Sequence, residues 1–321
     1  MDKLSGSFPL GLGCAALGNL YREVTDDQAQ ETFDAAWNAG VRLYDVAPHY
    51  GLGVAERRLG ELLATVARDE VLVSSKVGRL LEHDASGQKT LDTAGFAVST
   101  DLRRVIDFST DGVLRSVDDS LARLNLDRLD IVLLHDPDNH IEQAMEAAYP
   151  ALERLRAEKL VLAIGVGTNS SAVAERFVSD TDIDVVLIAG RWTLLDQSAG
   201  ESLLPLCLAR GVDVLVGGVL NSGILGDAHP DESSLYNYRP VQPEVLRRAR
   251  ALAVACARHG VSLPHAATAF ASQHPAVTAV LVGARSASEV HAAVDALRLD
   301  IDQATLDELA AVGRGDIVAS A

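Results

Sequence analysis

A closed eight-stranded (β/α)8 barrel, the TIM-type α/β architecture, is the fold this 321-residue sequence predicts. Apolar runs of strand length alternate with amphipathic stretches from one end of the chain to the other, the rhythm of parallel strands joined by crossover helices. Several runs also end on a demanding polar side chain: Asp45 in VRLYDV, Lys76 in EVLVSSK and His135 in LDIVLLH. Strand alternation puts Asp45 on the face of Val41 and Leu43, Lys76 with Leu72 and Ser74, and His135 with Ile131 and Leu133. Apolar below and charged at the tip is the pattern expected where a packed barrel interior gives way to a reactive rim at the carboxyl ends of the strands.

The elements follow in order. A first strand at 9–14 leads to a helix at 26–38 that stops at Gly40. Strand 41–47 and helix 54–65 follow, then strand 70–76. Residues 79–109, polar and glycine-containing, are too long for a plain connection. Helix 111–124, strand 130–135, helix 149–158, strand 161–167, helix 170–178, strand 185–189 and helix 203–210 keep the alternation. After strand 213–217 comes a second long connection, 219–243, with NSGILGDAHP and SLYNYRP. Helix 244–259, strand 279–283 and helices 288–296 and 302–312 complete the chain. Both long connections, after the third and seventh strands, overhang the same rim and are expected to wall a pocket.

A hydrophobic content of 48% suits one large core, so residues 1–321 are expected to form a single barrel domain with no linker or low-complexity segment. A net charge of −17 argues against nucleic acid as a partner, which would need clustered positive charge. No apolar stretch approaches the ~20 residues that cross a bilayer, so no membrane partner is expected. Three cysteines without paired spacing and a first segment without an apolar secretion core suggest a reduced, cytoplasmic compartment. Only four lysines occur: Lys3, Lys76, Lys89 and Lys159. One inside an apolar strand is costly and calls for a partner, and Lys76 is that residue.

Asp45, Tyr50, Lys76 and His135 can share one pocket. A phenol titrates near ~10 and needs a neighbouring cation to act as an acid or base at neutral pH. Lys76 is expected to lower Tyr50 in this way, with Asp45 offsetting the burial of the ammonium and His135 orienting the reacting oxygen. In oxidation Tyr50 would take a hydroxyl proton as a hydride leaves for a nicotinamide ring, and in reduction return it. No metal is needed. Blander readings stand beside this one: Asp45 and Lys76 as a structural ion pair, His135 as a core histidine, Tyr50 as a rim residue. A barrel hydrolase holding a metal on Asp45, His49, His135 and Asp136 is a second enzyme class, disfavoured by the Lys76 charge. GLGCAA at 11–16 fits G-x-G-x-x-A, yet the acidic residue about 20 positions on would fall inside a helix rather than at a strand end.

YDVAPHYG, SSKVG and LLHD together resemble the aldo-keto reductase family along nearly the whole chain. That resemblance implies a (β/α)8 barrel binding extended NAD(P)(H) without a Rossmann domain, with Asp45, Tyr50, Lys76 and His135 as catalytic residues. PLGLGCAALGNLYREV, APHYGLGVAERRLG, AGRWTLLDQ and VLNSGILG are similar to the branch that oxidises L-fucose and D-threo aldoses at the anomeric carbon to lactones, with pyridoxal-oxidising members close by. A general aldehyde or ketone reductase, or a low-turnover redox-sensing subunit, is the alternative the family offers. The same resemblance places the segment that holds the nicotinamide amide at Gly167, Thr168 and Asn169, with Asn169 as the amide's partner and a second reading of Asn169 as a helix cap. It puts Leu187 in the place of a usual glutamine, an aromatic stacking partner at Trp192, and the pyrophosphate loop at Val219, Leu220, Asn221, Gly223 and Leu225. The adenosine-phosphate segment becomes Gly283, Arg285, Ser286 and Glu289. Glu289 would repel a 2′-phosphate and favours NAD over NADP, against which Arg285 pulls. A small aldose or aldehyde is the expected partner, and a monomer the default.

Overall fold

The computed structural model describes residues 9–316. Eight parallel strands close into a barrel: β1 (Leu10–Gly13), β2 (Leu43–Asp45), β3 (Leu72–Val77), β4 (Leu129–His135), β5 (Val161–Thr168), β6 (Val185–Ala189), β7 (Asp213–Gly217) and β8 (Val277–Gly283), with β8 pairing back onto β1. Alternation sorts their side chains into two layers. Leu43, Leu72, Ile131, Leu133, Leu187, Leu215 and Leu281 fill the barrel, while Leu12, Tyr44, Val73, Val132, Val166, Val186 and Val280 meet the helices outside. Burial on both faces is why the strands read as near-continuous apolar runs. Val41 departs from the expected interior face and joins the outer layer. The chain is still turning there, its N–H donating to Ala36 O at 2.9 Å, and β2 begins only at Leu43.

The covering helices are α1 (Asp26–Asn38), α2 (Val54–Leu63), α3 (Thr110–Leu124), α4 (Tyr149–Ala157), α5 (Ser171–Asp180), α6 (Leu203–Arg210), α7 (Pro243–Arg258), α8 (Leu263–Ala271), α9 (Ala287–Arg298) and α10 (Gln303–Arg314). Sequence patterning misses α8. Leu263, Ala266, Ala267, Thr268, Ala269, Phe270 and Ala271 are all buried, so the segment carries no polar stripe to mark a helical period. It packs with α7, α10, Leu194, Leu195 and Ile224 into a second core beside the barrel. Before α4 the chain makes a wide π turn over Ala144–Ala148. Pro150 lacks the N–H that would bond Glu146 O, which loosens the ladder at that point.

The connection at 79–109 is a folded arm. Arg79–His83 pairs antiparallel with Leu102–Ile106, and Thr90–Leu91 with Ser99–Thr100. Arg104 bonds Asp92 within the arm at 2.5 Å and pins the arm to the rim through His49 O at 3.0 Å. The second long connection contains a 3₁₀ turn over Asn221–Gly226 and a short ladder of Leu235–Tyr236 with Arg239–Pro240.

Behind the rim, α2, β3 and α3 are tied by one carboxylate. Glu56 is 0% exposed, accepts from Ser75 Oγ at 3.0 Å and from Arg123 Nε at 2.6 Å. A buried carboxylate persists only if its lone pairs are met, and removing it strands the partner charge. Glu56→Ala is therefore expected to destabilise the fold by about 3 kcal/mol, and Glu56→Gln by less, as read from chemical denaturation midpoints.

Candidate active site

Register lifts three side chains stepwise around the rim. Asp45 pairs with Ser74, Lys76 with Leu133, and His135 with Gly167, so Asp45, Lys76 and His135 share the interior face at successive heights. Tyr50 arrives from the turn after β2. That turn contains three left-handed residues, Gly51 (φ 61°), Leu52 (φ 49°) and Gly53 (φ 85°), and it lies backbone to backbone on Gly18. A Cβ on Gly51 would sit 2.3 Å from Gly18 O, and one on Gly18 would sit 2.7 Å from Tyr50 C. Neither position has room for a side chain.

The four groups converge. Lys76 Nζ lies 2.8 and 2.7 Å from the Asp45 oxygens, 3.1 Å from Val46 O and 3.1 Å from Tyr50 Oη. Ser74 Oγ donates to Asp45 Oδ1 at 3.0 Å. Lys76 is 2% exposed and Asp45 3%. Burial would depress the ammonium, but the charges of Asp45 and Tyr50 outweigh it and hold Lys76 above its ordinary value. His135 sits edge-on to the Tyr50 ring, centroids 6.0 Å apart. Burial first, then the charges of Arg79 and Lys76, holds this imidazole neutral, well below its usual range. His49, 5.6 Å from His135 between ring centroids, is pushed down to about 3 by burial and by Arg79 and Arg104.

One expectation is corrected here. Tyr50 is raised, not lowered: burial dominates, Lys76 pulls the other way, and Asp45 cancels part of that pull. The phenol is thus a proton donor at neutral pH, and the ammonium 3.1 Å away is what limits the cost of ionising it.

Asp45 and Tyr50 stand at the inner end of a cleft of about 710 Å³ that runs past β7 to the start of α9. Of the residues expected to hold a dinucleotide, Val219, Leu220, Asn221, Gly223, Gly283, Arg285 and Glu289 border it. Leu187 borders it where the amide side chain would be. The fit to a pyrophosphate-bearing ligand is good in one place. The turn from Leu220 (φ −92°, ψ 10°) through Asn221 (φ 45°) to Gly223 (φ 104°) spends its own donors internally, Asn221 N–H on Gly218 O and Gly223 N–H on Leu220 O at 2.9 Å each, and leaves the Asn221 side chain at the cleft. Both amide atoms of Asn221 are buried without a partner among the described residues, an arrangement that asks for a ligand.

Other assignments fall elsewhere. Trp192 is not on the cleft: its ring lies 4.9 Å from Phe270 and 5.7 Å from His274 and packs against the second core. Leu225 is buried in that same core, since the turn at 221–226 points it inward. Ser286 is the N-cap of α9, accepting from Glu289 N, and Glu289 itself folds back to accept from Arg285 N at 3.0 Å. Asn169 neither caps α5 nor borders the cleft; Ser170 is the cap, and Asn169 Nδ2 donates to Ala189 O at 3.1 Å. Gly167 lies at the rim beside Lys76, its carbonyl accepting from Asp136 N. Tyr21, Tyr238 and His265 border the cleft without having been foreseen. Tyr21 and Tyr238 take left-handed backbone angles that no periodicity announces. Among the described residues no group of three acidic, histidine or cysteine side chains is placed to hold a metal, and no helix is long and apolar enough to cross a membrane.

Comparison with known proteins places this geometry. The model of the Aldo/keto reductase family matches residues 9–314. The chain is 41% identical to D-threo-aldose 1-dehydrogenase of a Pseudomonas species, over 94% of this chain and 92% of the relative. It is 34% identical to pyridoxal 4-dehydrogenase of Microbacterium luteolum, over 88% and 86%. An aldo-keto reductase from Bacillus halodurans in its holo form shares the fold with a TM-score of 0.75 at 23% identity, over 97% and 94% of the two chains.

Two outcomes follow from the charges. Lys76→Met removes the cation that eases Tyr50 ionisation, so oxidation should slow and its pH–rate profile shift to higher pH; an unchanged profile would break the coupling. His49 is neutral in the fold and, with its folded value depressed, contributes stability above about pH 6.5 that is lost as pH falls. Replacing it by Asn should remove up to about 1.4 kcal/mol of stability loss per pH unit below that point, read from denaturation curves at pH 7.5, 6 and 5.

Proposed function

Because the chain belongs to the aldo/keto reductase family, a family of NAD(P)-dependent oxidoreductases, we propose that it oxidises the anomeric hydroxyl of an aldose of the L-fucose or D-threo type to the lactone. The observation that carries this reading is the Tyr50 Oη to Lys76 Nζ contact of 3.1 Å at the inner end of the cleft, joined to the similarity with an aldose dehydrogenase. The roles of Asp45, Tyr50, Lys76 and His135, and of the cleft residues toward the dinucleotide, are part of the same proposal.

A bound nicotinamide supplies the hydride acceptor. His135, neutral, orients the anomeric oxygen, and Tyr50, once ionised, accepts its proton while the carbon–hydrogen bond breaks. Lys76 holds the phenolate charge, and Asp45 holds Lys76. In reduction the protonated phenol is already in the required state. The unpartnered side-chain amide of Asn221 would meet the pyrophosphate, and Arg285 the adenosine end. A carboxylate at Glu289 disfavours a 2′-phosphate and tips the preference toward NAD. Pyridoxal is the second reading, favoured by the 34% relative, since its internal hemiacetal presents a similar carbon.

A panel of fucose, galactose, arabinose, xylose and pyridoxal, run with NAD and with NADP, tests the assignment. Turnover of a D-threo aldose with NAD is expected, abolished in Tyr50→Phe while dinucleotide binding persists. Full turnover in Tyr50→Phe would remove the proposed proton transfer.

A further inference from the structure

Beside His135 lies a second charged pair with no part in the proton transfer above. Asp136 takes a left-handed φ of 45°, uncommon for a residue with a Cβ. Its N–H donates to Gly167 O at 2.9 Å, which turns the chain off the end of β4. The carboxylate is clamped by Arg79, whose Nη2 donates to Asp136 Oδ2 at 2.6 Å. Arg79 follows Gly78 (φ 100°), where the chain leaves β3 for the arm. The side chains remain 20% and 31% exposed, so the pair sits at the rim rather than in the core.

Both groups keep capacity for a ligand. Among the described residues Asp136 Oδ1 accepts no hydrogen bond, and the Oδ2 to His135 Nε2 distance of 3.7 Å is too long for one. Arg79 Nη1 reaches His49 Nδ1 only at 3.5 Å, the outer limit of a useful contact. At 3.7 Å from His135 Nε2, Asp136 Oδ2 stands beside the ring proposed to orient the reacting oxygen, so the pair lies next to where that oxygen would sit. A hydroxyl donates and accepts at once, and a carboxylate braced by a guanidinium offers both complements.

We propose that Asp136 and Arg79 bind the hydroxyl on the carbon next to the reacting one, and so select substrates hydroxylated at that carbon. The hydroxyl gives its hydrogen to Asp136 and takes one from Arg79, while the reacting oxygen is held by Tyr50 and His135. The inference rests on the aldose reading for the natural substrate. The chemistry is testable without it, because two small aldehydes differ in this feature. Lactaldehyde carries the neighbouring hydroxyl and propanal does not.

Reduction of both is measured in the full-length enzyme and in Asp136→Ala, Asp136→Asn and Arg79→Gln, with thermal melting of each variant. The wild type is expected to prefer lactaldehyde in kcat/KM. The ratio should fall about tenfold to a hundredfold in Asp136→Ala, mainly through KM, because a site built for a hydroxyl loses its discrimination when the partner is removed. Asp136→Asn, which keeps shape and one acceptor, should fall less. An equal fall for both aldehydes, or no preference in the wild type, overturns the inference. A protein that oxidises no aldose yet shows this loss of preference removes the aldose assignment and leaves the pair's role standing.

Discussion

An ammonium sealed inside a barrel dictates the arrangement of everything near it. Lys76 is 2% exposed and can stay charged only because Asp45 presents both oxygens within 2.8 Å. Desolvation of either group alone would cost several kcal/mol, so the two are not separable parts. Tyr50 stays protonated beside that cation chiefly because it is buried, and the carboxylate behind the cation cancels part of its pull. The proton therefore rests on the Tyr50 oxygen with a positive charge 3.1 Å away.

The scaffold keeps that assembly in place from outside. Ser75 points away from the interior, opposite to Lys76, and its bond to Glu56 ties the strand carrying the ammonium to the helix that follows the Tyr50 turn. Arg123 closes the tie from α3. Sites on rigid elements hold geometry better than sites on loops, and here Tyr50, carried by a turn, is braced by the next helix.

Much of this was legible in the residues. Period-two alternation fixes which face Asp45, Lys76 and His135 share, and register does the rest, so the cluster follows from strands that end on polar side chains. Where the chain does not follow a period, reading fails for identifiable reasons. Val41 is still in a turn, α8 is apolar all round, and Trp192 and Leu225 serve a second core that only tertiary packing creates. The direction of the Tyr50 shift needed the depth of burial, which no motif states. The pairing of Arg79 with Asp136 joins positions far apart along the chain through two left-handed residues, an event invisible to pattern.

The contact between Gly18 and Gly51 has a mechanical meaning. Side chains settle into alternative rotamers and can absorb small errors, whereas two peptide backbones in contact cannot. By resting the Tyr50 turn directly on main chain, the molecule uses a hard stop in place of a cushion, and how far the phenol reaches into the barrel becomes a property of covalent geometry rather than of packing.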